Sequence, residues 1–100
     1  MKNNRTIVWD GEASDYLESA IAFIRKDSYQ NAEKVKNKIL DSITSLIENP
    51  EKYPLDKYGR NTKRVYRAFE MYKFRISYSV SDTEIIIVRI RHASQKPLEY

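Results

Sequence analysis

The sequence contains one long stretch with the pattern of β-structure, residues 72–91, which reads YKFRISYSVSDTEIIIVRIR. In its first part every second position is apolar or aromatic: Tyr72, Phe74, Ile76, Tyr78 and Val80. Successive side chains of a strand point to opposite faces of a sheet, so this alternation predicts a strand with one buried face. The positions between them, on the other face, are Lys73, Arg75, Ser77 and Ser79.

The rest of this stretch predicts a second strand. Ser81–Asp82 has the composition of a short turn, and Thr83–Arg91 (TEIIIVRIR) is the most apolar strand pattern of the chain. Because a continuous apolar run is typical of a strand with neighbours on both sides, we place it in the centre of the sheet. Its end carries Arg89 and Arg91, and His92 follows directly.

Two segments between Asp10 and Pro50 have the periodicity of amphipathic helices. The apolar stripe of the first consists of Ala13, Tyr16, Leu17, Ala20, Ile21, Phe23 and Ile24. The stripe of the second consists of Ala32, Val35, Ile39, Ile43, Leu46 and Ile47. Asp10 is placed to cap the first helix, and Asp27–Ser28 interrupts the pattern between the two. Since Asn49–Pro50 ends the second, the two helices are predicted to form an antiparallel hairpin.

The order of these elements predicts an α+β fold. Arg5–Trp9 (RTIVW) forms an N-terminal strand, and the helical hairpin follows it. After a polar connection, Glu51–Thr62, the segment Lys63–Phe69 (KRVYRAF) is a further strand. With the two strands of residues 72–91 it makes a three-stranded antiparallel meander, and the helices pack on one face of the sheet. A chain of 100 residues is expected to be a single domain, residues 1–100.

Charge is distributed unevenly along the chain. Residues 1–56 contain eight Lys/Arg and ten Asp/Glu, whereas residues 57–100 contain ten Lys/Arg and four Asp/Glu. A basic half favours a polyanion or an acidic protein as partner, although the same excess also occurs as ordinary solubilising surface charge. The chain has no cysteine, which excludes disulfides and cysteine-bound zinc. With no signal peptide or membrane span in the sequence, we expect a cytoplasmic protein that has no membrane partner.

Four short segments together resemble the RelE/ParE superfamily of toxins. They are Val8–Asp10 (VWD), Leu46–Pro50 (LIENP), Tyr72–Tyr78 (YKFRISY) and Arg89–Pro97 (RIRHASQKP). The third is similar to the family's strand pattern of an aromatic residue, an arginine, an aliphatic residue and a tyrosine. The fourth is similar to its closing strand, in which a histidine is followed by a proline. The resemblance covers about residues 6–100 and implies a RelE/ParE-like arrangement of the α+β fold.

The resemblance implies a toxin of a bacterial type II toxin–antitoxin (plasmid stabilisation) system, which inhibits growth until its cognate antitoxin neutralises it. RelE-like members cut mRNA in the ribosomal A site, ParE-like members inhibit DNA gyrase without cutting nucleic acid, and some members have no known toxicity. The long, complete helical hairpin favours the ParE-like function. The alternatives are a RelE-like, metal-independent mRNA endoribonuclease and a toxin-like domain without toxicity. An antitoxin segment that is helical and acidic or amphipathic is expected to cover the sheet face or the hairpin.

Two residues are candidates for catalysis if the chain is a nuclease. RNA cleavage without a metal needs groups that transfer protons and cations that stabilise the phosphorane. His92 is the single histidine, matches the family's closing histidine and is the candidate general acid. Arg75 matches the family's strand arginine, which binds the scissile phosphate in the nucleases. Both also fit structural roles, His92 as a bond to the C-terminal tail and Arg75 as a solvated strand residue.

Further basic and aromatic residues are candidates for binding nucleic acid or another target: Lys63, Arg64, Arg67, Arg89, Arg91 and Tyr100. The general base has no clear counterpart. Glu51 and Asp56 lie in the connection where some members carry a glutamate, and Lys63 would need a depressed pKa. This gap argues against a nuclease. Because the chain has two glycines and no metal-ligand cluster, we expect no phosphate-cradling loop, no metal and no cofactor.

Overall fold

The computed structural model describes residues 5–58 and 64–93. In chain order, its elements are strand β1 (Thr6–Trp9), helices α1 (Gly11–Asp27) and α2 (Tyr29–Thr44), a 3-10 turn (Ser45–Ile47), and strands β2 (Tyr66–Met71), β3 (Phe74–Val80) and β4 (Glu84–His92). The predicted α+β architecture, in which a strand and a helical hairpin precede a three-stranded meander, is confirmed.

The strands form one sheet in the order β1-β4-β3-β2. The meander β2-β3-β4 is antiparallel, and β1 pairs with β4 in parallel, with Thr6 opposite Glu84 and Trp9 opposite Ile87. The strand predicted to be central, β4, therefore has neighbours on both sides. This position explains its isoleucine-rich sequence, because a strand between two others is shielded from water more completely than an edge strand.

A β-bulge at Val88 interrupts the pairing of β4 with β3, since Val88 has no partner on β3. The apolar pattern of β4 explains the bulge. The buried residues Ile85, Ile87 and Ile90 are spaced by two and then by three positions. In a regular strand Ile90 would point away from the core, and the extra residue returns it to the core face.

A single residue, Ser28, separates the two helices and caps both. Its backbone N–H donates to the Ile24 carbonyl (3.0 Å), and its hydroxyl accepts from the Asn31 N–H (3.1 Å). Asp10 caps the start of α1, as predicted, by accepting from the Glu12 N–H at 2.9 Å. Because Ser28 is extended (φ −156°), the chain reverses there and the helices form the predicted hairpin.

The helical hairpin packs on one face of the sheet, and the core lies between the two layers. The core consists of Ala13, Leu17, Ile21, Ala32, Val35, Ile39, Ile43, Leu46, Phe69, Phe74, Ile76, Tyr78, Ile85, Ile87 and Ile90. Tyr78 is fully buried, and its hydroxyl donates to the Pro50 carbonyl at 2.8 Å. This bond satisfies a buried hydroxyl and ties the chain after α2 to the sheet.

Two aromatic residues that the sequence pattern places in the core lie outside it. Phe23 is 70% exposed, because two residues beyond a buried position the helix has turned by about 200°. Tyr72 is 42% exposed because it does not belong to a strand. The strand before it continues to Met71, beyond the predicted Lys63–Phe69 segment, and Tyr72 and Lys73 form the two-residue turn into β3.

The buried hydroxyl of Tyr78 gives a first test of this fold. Tyr78→Phe leaves the Pro50 carbonyl without its donor and should lower the free energy of unfolding by about 1–2 kcal/mol. Urea denaturation at neutral pH measures the change. The matched control is Tyr29→Phe at a 62% exposed position, for which we expect a change below about 0.5 kcal/mol. Equal effects of the two substitutions would contradict the assigned role of the hydroxyl.

The pH dependence of stability is a second test of the buried Tyr78 hydroxyl. Burial raises the pKa of Tyr78, so the folded state holds this proton more tightly than the unfolded chain. Its contribution to stability is therefore complete below the ordinary tyrosine pKa of about 10. The contribution is lost as the pH rises from there through the raised folded pKa. Above about pH 10 the wild-type chain should lose stability more steeply than Tyr78→Phe; parallel curves would exclude this cause.

Candidate functional site

The sheet face turned away from the helices, here called the open face, carries three arginines. Its residues include Tyr66, Ala68 and Glu70 of β2, Arg75, Ser77 and Ser79 of β3, and Ile86, Arg89 and Arg91 of β4, and of these Ala68, Ser77 and Ser79 are buried. Arg89 and Arg91 reach this face because the bulge at Val88 shifts the alternation of β4. Arg75 and Arg91 lie directly opposite each other. Two like charges in this position repel each other, so the open face favours an anion.

Part of the connection between α2 and β2 lies along the outer edge of the sheet. In residues 53–58, the Asp56 N–H donates to the Tyr66 carbonyl (2.8 Å), and the Ala68 N–H donates to the Pro54 carbonyl (3.2 Å). These bonds make the segment a short antiparallel partner of β2. The backbone pairing thereby carries the Asp56 side chain to the open face.

Arg75 is held there by an acidic and aromatic cluster. Its Nη2 lies 2.8 Å from Asp56 Oδ1, its Nη1 lies 3.4 Å from Glu70 Oε2, and its guanidinium carbon lies 5.1 Å from the centre of the Tyr58 ring. The Asp56 side chain is 0% exposed, against 25% for Arg75 and 55% for Glu70. Asp56 also accepts the Tyr58 N–H at 3.0 Å. One carboxylate therefore holds both the guanidinium and the backbone N–H of the residue whose ring lies against it.

This arrangement limits the chemistry of both charged residues. A phosphate that bound the Asp56-facing side of Arg75 would have to displace a buried, hydrogen-bonded carboxylate. Asp56, which the sequence offered as a general base, accepts two donors and has no solvent-exposed surface. The pair is suited to fixing the connection on the sheet, and sequence reasoning missed it because the two residues lie in different elements.

Arg91 is placed differently from Arg75. Its Nε is buried and has no hydrogen-bond partner among the described residues. Arg89 and Arg91 line a cleft of about 370 Å³ between β4 and the start of α1, which Asp10 and Tyr16 also line. A buried donor without a partner is unfavourable. The cleft carries two guanidinium groups beside the acidic residues Asp10 and Glu12.

His92 lies on the helix side of the sheet. It is opposite Phe74 in the register, and the two rings meet edge to face with their centres 5.8 Å apart. The backbone N–H of His92 donates to the Tyr16 hydroxyl at 2.9 Å. Arg75 is the next residue after Phe74 on β3 and therefore faces the other way. The sheet thus does not bring the two candidate catalytic residues together on one face.

The remaining candidates for target binding are also divided. Arg67 is opposite the buried Tyr78 on the helix side and donates from Nη1 to the Tyr53 carbonyl at 2.8 Å. Arg64 is exposed before β2. Lys63 and Tyr100 lie outside the described residues. The two arginines of β4 are therefore the target-binding candidates that the described structure places beside Arg75.

A second concave surface, here called the hairpin groove, has a volume of about 620 Å³. Its apolar lining consists of Trp9 of β1, Leu17, Ile21 and Ala22 of α1, and Leu40 of α2. Arg25 and Lys36 add positive charge and Glu18 a negative one, and the two cations contact Glu33, at 3.3 and 3.2 Å. The Lys36 ammonium and then Arg25 lower the pKa of Glu33. Sequence reasoning missed this groove because its lining comes from three elements.

Residues 5–58 and 64–93 contain no group of three or more His, Cys, Asp or Glu side chains that could hold a metal ion. Within the same residues, neither helix has the length and apolar character needed to cross a membrane.

Two solved toxin–antitoxin structures contain a chain with a similar fold. The chromosomal ParDE system from P. aeruginosa has a chain that is 16% identical, with a TM-score of 0.69 over 93% of this chain and 100% of that one. The archaeal RelE-RelB complex from Pyrococcus horikoshii OT3 has one that is 16% identical, with a TM-score of 0.61 over 93% and 99%. These similarities show that the chain shares its fold with a chain in each of the two structures.

The family described as "ParE toxin of type II toxin-antitoxin system, parDE" matches residues 7–97. The chain therefore belongs to the ParE toxin family, and the resemblance seen in its sequence motifs is confirmed. No curated protein matches the sequence.

The Asp56–Arg75 pair predicts unequal effects of two substitutions. Asp56→Asn removes the buried charge and leaves the guanidinium with its weaker contact to Glu70, so the free energy of unfolding should fall by about 1–3 kcal/mol. The larger losses of unfolding free energy that follow when a fully buried ion pair is broken are not expected here, because Arg75 is 25% exposed and partly solvated. Glu70→Gln, at a 55% exposed side chain, is the matched control and should cost less than about 0.5 kcal/mol. Urea denaturation of both variants checks this; similar losses would refute a dominant role for Asp56.

Proposed function

We propose that this toxin inhibits its target by binding alone, as ParE-like members inhibit DNA gyrase, and that it does not cut RNA. The observation that carries the proposal is the division of the two candidate catalytic residues. Arg75 is on the open face and paired with Asp56, whereas His92 is on the helix side. This separation supports a binding function over a nuclease.

Metal-independent RNA cleavage requires several groups around one phosphate. A base, a phosphate-binding cation and an acid must all lie within hydrogen-bond reach of the reacting atoms. Asp56 is the buried carboxylate next to Arg75 on the open face. The hydrogen bonds that it accepts leave it unsuited to act as a base. The described residues of this face therefore supply three guanidinium groups and the exposed carboxylate of Glu70, but not the histidine that could act as the acid.

The open face is better suited to holding an anionic surface. Arg91 has a buried Nε without a described partner, and Arg89 is its neighbour on the same face. A guanidinium meets carboxylates with parallel hydrogen bonds. We infer that these two residues contact the target and that Arg75 mainly holds the connection in place.

The proposal is tested with two assays on the purified chain. DNA supercoiling by gyrase should be inhibited, and mRNA in a cell-free translation reaction should keep its 5′ ends, because no cleavage occurs. New 5′ ends inside ribosome-bound codons, lost in His92→Ala, would establish the RelE-like nuclease instead. Normal supercoiling together with normal translation would favour a toxin-like domain without toxicity.

A substitution tests the role of the β4 arginines in the same supercoiling assay. Arg91→Ala removes the unpartnered donor and should weaken inhibition about tenfold, the size expected for one charge-assisted contact of about 1.4 kcal/mol. Lys38→Ala, which removes an exposed cation from α2, is the charge-matched control and should leave inhibition within about twofold. If both variants weakened inhibition equally, the loss would come from the lower positive charge of the protein and not from a specific contact of Arg91.

We also propose that the cognate antitoxin places an amphipathic helix with acidic residues in the hairpin groove. The groove combines an apolar lining with Arg25 and Lys36, and this pattern is complementary to a helix with one apolar stripe and flanking carboxylates. The two similar solved structures support the proposal, because both are described as toxin–antitoxin assemblies.

The antitoxin proposal is tested by placing a charge in the groove. Leu40→Glu introduces a carboxylate among apolar side chains and should weaken binding to the product of the adjacent antitoxin gene by at least about tenfold, measured by calorimetry. Phe23→Glu is the matched control, because Phe23 is a 70% exposed apolar residue of α1 that does not line the groove. If both variants bound like the wild type, the antitoxin would occupy another surface.

A further inference from the structure

The turn between β2 and β3 departs from the usual sequence of such turns. Tyr72 and Lys73 both have positive φ angles, 52° and 67°. Two consecutive left-handed residues form the type I′ geometry of tight hairpins, which Asn-Gly and similar pairs adopt readily. A residue with a Cβ atom and a long side chain is strained in this conformation. The chain therefore holds two unfavourable residues side by side at the tip of the β2–β3 hairpin.

Burial of the two side chains does not offset this strain. Tyr72 is 42% exposed and Lys73 is exposed as well. The exposed part of Tyr72 also loses the stabilisation that burial would give. A local departure of this kind, with no gain in packing, is typical of residues that serve binding rather than folding.

The tip is held firmly by the strands that flank it. Met71 pairs with Phe74 at the base of the turn, and the Lys73 carbonyl accepts a hydrogen bond from the Ala93 N–H at the end of β4. Phe74 is buried, and its ring contacts those of Tyr16 and His92 edge to face. The turn thus has a fixed direction, which lowers the entropy lost when it contacts a partner.

We propose that Tyr72 and Lys73 form a recognition tip that contacts an acidic surface on the protein target of this toxin. The inference rests on the proposed function, in which the target is inhibited by binding. A tyrosine provides a large, rigid apolar area with a polar end, which is why it is enriched at protein interfaces. The neighbouring ammonium pairs with a carboxylate on the target and sets the orientation of the contact.

A protein partner fits the tip better than a nucleic acid. Binding to a phosphate backbone depends on several cations along a track, and the turn itself offers one, Lys73. The tip also shares no residue with the hairpin groove. The toxin would therefore contact its target and its antitoxin through different parts of its surface.

The experiment compares two double variants of the turn. Tyr72→Asn with Lys73→Gly keeps the turn geometry, relieves the strain and removes the recognition groups. Its melting temperature should rise by roughly 5 °C or more, while its affinity for purified gyrase, measured by surface plasmon resonance without DNA, should fall at least about tenfold. Tyr72→Phe with Lys73→Arg keeps ring and charge and should retain both stability and affinity within about twofold. Asp82→Asn, in the turn at the opposite end of the sheet, is the control for changes in a surface turn.

The outcomes separate this inference from the proposed function. If the wild type binds and inhibits gyrase and the Asn-Gly variant does so equally, the recognition tip is overturned while the proposed function stands. A fall in the melting temperature of the Asn-Gly variant overturns the assigned strain. Wild-type binding that requires DNA overturns the protein partner in favour of a nucleic acid. A wild-type chain that neither binds nor inhibits gyrase overturns the proposed function and the tip with it.

Discussion

The parallel pairing of β1 with β4 constrains the rest of the chain. Parallel neighbours cannot be joined by a tight turn, because the chain must return to the same end of the sheet before the second strand begins. Here the return contains the helical hairpin and the hairpin β2–β3. The helices cover one face, where Ile85, Ile87 and Ile90 form the centre of the core. The fold is therefore organised around β4, although β4 is its last strand.

The helices do not cover the opposite face of the sheet. The connection after α2 pairs with the edge of β2 and delivers Asp56 to that face. A carboxylate enters such a buried position only when a cation and hydrogen-bond donors meet it. Arg75 and the Tyr58 N–H are those partners. The same ion pair secures the connection and occupies one side of the Arg75 guanidinium. It therefore also limits the part of the guanidinium that a ligand can contact.

The sequence predicted the elements well because burial on one side of a helix or strand is a local, periodic property. The two helical stripes and the apolar β4 are examples. Asp56 and Arg75 are 19 positions apart and meet through backbone pairing that no local pattern records. The position of the β2–β3 turn was predicted wrongly for a different reason: Tyr72–Lys73 contains no glycine or asparagine, so the strand-like alternation continues through it. The fold was thus accessible from sequence, whereas the Asp56–Arg75 pair and the hairpin groove were not.

The bulge at Val88 links the packing of the core to the chemistry of the open face. In a regular β4, the alternation that buries its first isoleucines would place Arg89 and Arg91 on the helix side and turn His92 toward Arg75. The extra residue reverses these assignments, since a shift of one position exchanges the two faces of a strand. Three arginines then share one face while the single histidine packs against Phe74 on the other. Such a face is suited to holding an anion and poorly suited to moving its protons. A packing requirement of Ile90 thereby underlies the arrangement from which the binding function is proposed.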